Sequence, residues 1–185
     1  MAQGHRYVAL LRGIAPSGKN MSNAHLRGAV EGLGYTDVAS VQASGNILFT
    51  TDETDVAALE RAIDGALAGG LGLKSTAIVR SAGSMGSLAA TDPFPGLTHG
   101  KGTYLTATFV KDAASVGNPP PEPPQLHLTD VVGFDRAHGV LLAVTDNSEP
   151  GRTGGFMAWL ERAYGKATTT RSWPTVQRLA ARLSD

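Results

Sequence analysis

Apolar residues fall in short runs along this chain, and the spacing inside each run assigns it to a strand or a helix. Tyr7 to Leu11 (YVALL) shows no alternation and is bounded by charge and glycine, which is how a strand covered on both faces reads. Ser22 then suits the N-cap of a helix with Leu26, Ala29, Val30 and Leu33 on one face, ended by Gly34. Val38 to Gln42 and Ile47 to Thr50 are two β-prone pieces around Ala43-Ser44-Gly45-Asn46, a hairpin. From Asp55, the residues Val56, Leu59, Ile63 and Leu67 recur at helical spacing, with Gly69 and Gly70 as the stop. Thr76 to Val79 supplies a further strand, with Arg80 at its end. The order to this point is βαββαβ, the split βαβ or ferredoxin-like arrangement.

The rest of the chain reads as a distorted echo of the first part. Ser84 to Ala90 is a short helix stopped before Asp92-Pro93, and Thr103 to Val110 is a strong strand. Asn118 to Pro124 (NPPPEPP) fits neither helix nor central strand, since five of its seven residues lack an amide donor; it reads as an exposed, stiff connector. Leu128 to Phe134 and Val140 to Thr145 form a second hairpin around Asp135 to Gly139. Phe156, Trp159, Leu160 and Ala163 mark an amphipathic helix ended at Gly165, and Lys166 to Thr170 is a short β-prone run. Val176, Leu179, Ala180 and Leu183 mark a closing helix, with Pro174 in its first turn. The expected fold class is therefore α+β: a ferredoxin-like subdomain over residues 1–82, then a second, related α+β subdomain over 83–185 carrying the proline-rich connector 118–124.

Composition narrows what such a fold could do. Of 185 residues, 42% are hydrophobic and 17% charged, a globular balance. Sixteen basic and sixteen acidic side chains cancel, so no whole-molecule field draws the chain to nucleic acid or an anionic membrane, and any such binding has to be local. From Arg152 to Asp185 six Lys or Arg face two Asp or Glu. There is no cysteine, which removes disulfides, thiolate zinc sites and cysteine nucleophiles together and fits a reducing cytoplasm. The apolar run before Arg12 is too short for a signal-peptide core, and no run approaches the ~20 apolar residues of a membrane helix. The expectation is a soluble cytoplasmic protein.

Three polar stretches carry candidate chemistry. Gly13 to Lys19 (GIAPSGK) has the spacing of a phosphate-binding P-loop, but Asn20 stands where the magnesium-binding Ser or Thr belongs, and the cap at Ser22 starts the helix too late. With Arg12 before it, this loop still offers two cations and two glycines, Gly13 and Gly18, to an anion. Ser44-Gly45-Asn46 is either a plain hairpin turn or a second contact beside that loop, because the first and third strands of βαββαβ are antiparallel neighbours. Thr168 to Trp173 (TTTRSW) is either a strand running into a capped helix or, through Thr170, Arg171 and Trp173, a third contact. The five histidines show no pairing at metal-ligand spacing, no G-x-S-x-G elbow occurs, and eleven aromatics lack the paired strand pattern of RNA-recognition sheets. LLAVTD, ending at Asp146, imitates a Walker B strand only as many apolar strands do.

Taken together and in this order, GIAPSGKN, QASGNILF and TTTRSWPTV resemble the domain-of-unknown-function 1697 family of bacterial proteins over nearly the whole chain. The resemblance implies a two-part α+β fold of ferredoxin-like character and no established activity. This sequence departs from the family pattern at Ala15-Pro16-Ser17, where Asn-Val-Gly is more usual, and at Ser172 and Pro174, where Asn is.

The reading that follows is a binding protein for a phosphate-bearing metabolite or a nucleic-acid backbone, held by Arg12, Gly13, Gly18, Lys19, Asn20, Ser44, Gly45, Asn46, Thr170, Arg171 and Trp173, with Arg12, Asn46 and Arg171 converging on one surface. No cofactor, metal or membrane is expected. The alternatives are an enzyme on a phosphorylated substrate, its base drawn from Asp37, Asp130 or Asp146, and an interaction protein without a small ligand.

Overall fold

The computed structural model describes residues 4–42, 45–118, 120–149 and 155–185. The chain divides into two compact units, Met1–Ser87 with Leu179–Asp185, and Leu88–Arg178. Their architecture is α+β.

In the first unit, β1 (His5–Leu11), α1 (Asn23–Glu31), β2 (Thr36–Ser40), β3 (Asn46–Thr51), α2 (Val56–Leu71) and β4 (Ala77–Ser81) follow one another, and α3 (Ala82–Ala90) comes next without a loop. The four strands form an antiparallel sheet in the order β2-β3-β1-β4, the ferredoxin-like order. Tyr7, Ala9, Leu11, Ile47, Phe49, Ala77 and Val79 pack under Leu26 and Val30 of α1 and Leu59, Ile63 and Leu67 of α2. The alternate residues Val8, Leu10, Leu48 and Ile78 are just as buried, so β1 is enclosed on both faces, as its unbroken apolar run predicts.

The helix ends follow local chemistry. Ser22 caps α1 by accepting the His25 amide, and Asp55 caps α2 by accepting those of Ala57 and Ala58. The expected stop of α2 at Gly69 and Gly70 needs correction: the helix passes through both and ends at Gly72, which is left-handed (φ 68°). A stop needs the αL turn as well as a glycine, and here the amides of Gly72 and Leu73 reach the Ala68 and Leu67 carbonyls while Leu73 is buried.

β4 lies at the sheet edge, and its outward amides are not left open. The Ala77 amide donates to Asp64 Oδ1 (2.6 Å) and the Val79 amide to Glu60 Oε1 (3.0 Å), two carboxylates one turn apart on α2. Glu60 is buried there. At the other edge, β2 is bulged between Thr36 and Ala39, where Asp37 adopts φ 50°.

In the second unit, β5 (Tyr104–Val110), β6 (Thr129–Asp135), β7 (Val140–Thr145), α4 (Phe156–Tyr164) and β8 (Thr168–Ser172) lead into α5 (Trp173–Ser184), whose last residues group with the first unit. The sheet order is β6-β7-β5-β8, the same order again. The registers also coincide: the fourth residue of β1, Val8, pairs with Arg80, and the fourth of β5, Ala107, pairs with Arg171. Leu11 donates to the Gly45 carbonyl (2.8 Å) as Val110 does to Gly139 (3.0 Å), and Arg12 to Thr76 (3.0 Å) as Lys111 does to Ala167 (2.9 Å). The echo is thus a repeat at the level of individual strand pairs. Its distortion lies between β5 and β6, where a 3-10 turn, Ala113–Ser115, and the largely exposed residues 118 and 120–124 stand in place of a first helix. Leu141 and Ala143 pack against Phe156, Trp159 and Leu160 of α4.

Candidate functional site

The loop between β1 and α1 starts where burial stops. Arg12 is half-buried, its amide donating to Thr76 O and its carbonyl accepting the Ser75 hydroxyl (2.7 Å). Gly13 is exposed at φ 73° with open space where a Cβ would be. From Ala15 the loop closes on itself: Gly18 N donates to Ala15 O (2.9 Å), Met21 N to Gly18 O (3.1 Å), and Ala15 N points at the Met21 sulfur (3.4 Å). A Cβ on Gly18 would fall on that sulfur, so this glycine makes room for Met21. Amides that a P-loop turns toward phosphate are here spent inside the loop.

Asn20 sits at φ 60°, a conformation Asn tolerates better than most residues, and its Nδ2 donates to Leu71 O (3.1 Å), the last carbonyl of α2. Lys19 is exposed and makes no hydrogen bond or ion pair with a described residue.

At the hairpin, Ser44 lies outside the described residues. Gly45 is left-handed (φ 78°), and a Cβ on it would stand 3.1 Å from the Leu11 carbonyl, so only glycine lets the turn approach β1 this closely. Asn46 is 3% exposed; it pairs with Leu10, and its Nδ2 closes the hairpin on Val41 O (3.1 Å). Arg12 therefore falls two residues beyond the Leu10–Asn46 pair.

The third stretch belongs to the second unit. Thr170 and Arg171 are consecutive on β8 and face opposite sides of its sheet. Thr170 shares a hydroxyl hydrogen bond with Thr108 across the strand pair (2.8 Å). Arg171 Nη1 donates to Thr169 Oγ1 (2.7 Å) and Thr170 O (2.9 Å), and burial pulls its guanidinium down to about 10, leaving it charged at neutral pH. Trp173 is buried edge-on to Phe94, ring centres 5.5 Å apart.

The repeat sets further residues beside those of the three motifs. Arg80 is the counterpart of Arg171: its Nη1 donates to Val79 O (2.9 Å), and burial lowers its guanidinium while Glu60 acts the other way. A serine follows each arginine and meets the helix beyond, Ser81 Oγ accepting the Ser84 amide and Ser172 Oγ bonding Thr175 Oγ1. Lys111 is the counterpart of Arg12. The sequence signal was a cation directly after an enclosed strand, present in both LLRG and FVKD.

Of the candidate bases, Asp146 is held below the usual carboxylate range by its hydrogen bonds from Ser148, and Asp37 is exposed on the bulged edge. Among the described residues no group of three or more His, Cys, Asp or Glu is arranged to hold a metal ion, and no helix is long and apolar enough to cross a membrane.

A family model described as "Protein of unknown function (DUF1697)" matches residues 5–122. Among solved structures, the conserved bacterial protein SP0830 from Streptococcus pneumoniae superposes with a TM-score of 0.72 at 19% identity, over 99% of this chain and 100% of that one, a likeness of fold. No curated protein matches.

Proposed function

The chain belongs to the DUF1697 family of proteins of unknown function, and since that membership carries no activity, we propose from its own residues that it binds a phosphate-bearing anion on the β1–α1 loop without hydrolysing it. The observation that carries this reading is Lys19, an exposed cation with no partner among the described residues, on a loop fixed by the Gly18–Ala15, Met21–Gly18, Arg12–Thr76 and Asn20–Leu71 hydrogen bonds. A loop already ordered loses little entropy on binding, so an ammonium presented this way retains most of its attraction for a phosphate. Arg12, in the same loop, adds a second cation.

Two features speak against phosphoryl transfer. The Gly18 and Met21 amides donate within the loop, and the nitrogen of the Asn20 side chain is bound to Leu71 O where a magnesium-binding hydroxyl would be needed.

Calorimetric titration with inorganic pyrophosphate tests the proposal. Saturable binding is expected, and Lys19→Ala should weaken it about tenfold, the effect of losing one hydrogen bond to a charged group, with no change in melting temperature. Equal binding by wild type and variant would remove the site from this loop. Magnesium-dependent nucleotide turnover lost in Lys19→Ala would replace the binding reading with an enzymatic one.

A further inference from the structure

The loop between β1 and α1 is folded around a sulfur atom. Among the described residues there are three methionines, Met21, Met85 and Met157, and of these Met21 alone has its sulfur in a hydrogen bond. That sulfur accepts the Ala15 amide (3.4 Å) and occupies the space that a Cβ on Gly18 would need, while the side chain rests on the hydrophobic core of the first unit. Residues 15–18 are therefore held from beneath by one thioether. Lys19 is the next residue along.

The same atom is open to chemistry. Met85 is fully buried and Met157 is 53% exposed; Met21 is half-buried, and its hydrogen bond to Ala15 lies at an exposed position. A small peroxide in solution has access to such a thioether. A sulfur lone pair takes one oxygen of hydrogen peroxide, the O–O bond breaks, and the departing hydroxide combines with the proton of the transferred oxygen to give water. The sulfur loses two electrons and the peroxide gains them.

The product cannot hold the loop as the thioether does. The sulfur has two lone pairs, and the Ala15 amide donates to one of them. Oxygen added to that lone pair stands between the sulfur and an amide nitrogen only 3.4 Å away, so residues 15–18 must move outward. Oxygen added to the other leaves the sulfur electron-poor, and it no longer attracts the Ala15 proton. Both sulfoxide epimers undo the contact, by different routes.

We infer that Met21 is a modification site: its oxidation to the sulfoxide by a peroxide releases residues 15–18 and weakens anion binding at Lys19, an inference that rests on the anion-binding reading proposed above.

The test treats the ¹⁵N-labelled full chain with hydrogen peroxide, locates sulfoxides by peptide mass spectrometry, and follows both the loop amides by NMR and the titration with inorganic pyrophosphate. Oxidised protein should show the Ala15, Gly18 and Met21 amides displaced and should bind pyrophosphate about tenfold more weakly, since a released loop has to be ordered again on binding. Methionine sulfoxide reductases, one for each epimer, should restore both. Met157→Leu should respond to peroxide as wild type does, whereas in Met21→Leu peroxide should leave the affinity at whatever value that variant starts from. Oxidation of Met157 with Met21 untouched, a Met21 sulfoxide that leaves the Ala15 and Gly18 amides in place, or a loss of affinity that persists in Met21→Leu would each overturn the inference. Untreated protein that takes up no pyrophosphate would overturn the anion site and the regulation together, and the amide displacements would still decide whether the sulfur holds the loop.

Discussion

Three phenols are held away from water to different extents. Burial raises the pKa of the Tyr7, Tyr35 and Tyr164 phenols, and the nearby Glu53 carboxylate adds to the effect on the first two. Tyr7 and Tyr35 stack on either side of Phe49, with ring centres 5.6 and 5.0 Å away, and the Tyr7 hydroxyl donates to Glu53 O (3.1 Å). In the folded chain these groups keep their protons at a pH where the unfolded chain loses them. Their contribution to stability is therefore full below pH 10, the unfolded value, and is lost as pH rises through the higher folded values. An ultraviolet titration of the native protein should show Tyr7, Tyr35 and Tyr164 ionising above pH 10, and the same three phenols ionising near 10 in denaturant. At this scale the sequence was legible in type more than in purpose. Gly18 and Asn20 could be picked out as loop residues with special conformations. That Gly18 yields to the Met21 sulfur, or that Asn20 reaches a carbonyl 51 residues away, depends on packing that no local pattern encodes.

Glycines around the end of α2 carry opposite expectations. Gly69 and Gly70 are exposed inside the helix with open space at their Cβ positions, so Gly69→Ala and Gly70→Ala should each stabilise by about 0.5–1 kcal/mol. Gly72 also has open space, but its φ of 68° makes Gly72→Ala cost about 1–2 kcal/mol, a fall in Tm of several degrees. Thermal melts of the three single variants check the signs, and a rise in Tm for Gly72→Ala would mean the helix can end elsewhere. The glycine run marked the end of the helix but not which glycine turns the chain, because that is settled by Leu73 finding a buried place. Strands were legible wherever apolar residues were dense, as in β1, β3, β5 and β7. The edge strands β2 and β8 were shifted in the reading, since their exposed sides carry Thr, Asp and Ser and blur the signal.

For the chain as a whole, sixteen acidic and sixteen basic side chains leave no net repulsion between copies at neutral pH. Solubility, measured by precipitation at rising protein concentration, should pass through a minimum near pH 7 and recover on both sides; a steady trend across that range would mean that patches and not net charge govern association. The repeated element order was legible as an echo because hydrophobic runs recur in sequence. The matched registers were not, since Val8–Arg80 and Ala107–Arg171 share a position without sharing the residue on β1 and β5. With so little charge to keep molecules apart, the rim of the first unit's sheet takes on weight. Asp64 and Glu60 occupy the amides of β4 that would otherwise template an incoming strand, and the Asp37 bulge spoils the pleat of β2. The first unit's sheet is thereby denied edge-to-edge growth at a pH where charge does not keep molecules apart, and the two α2 carboxylates serve as stoppers against polymerisation.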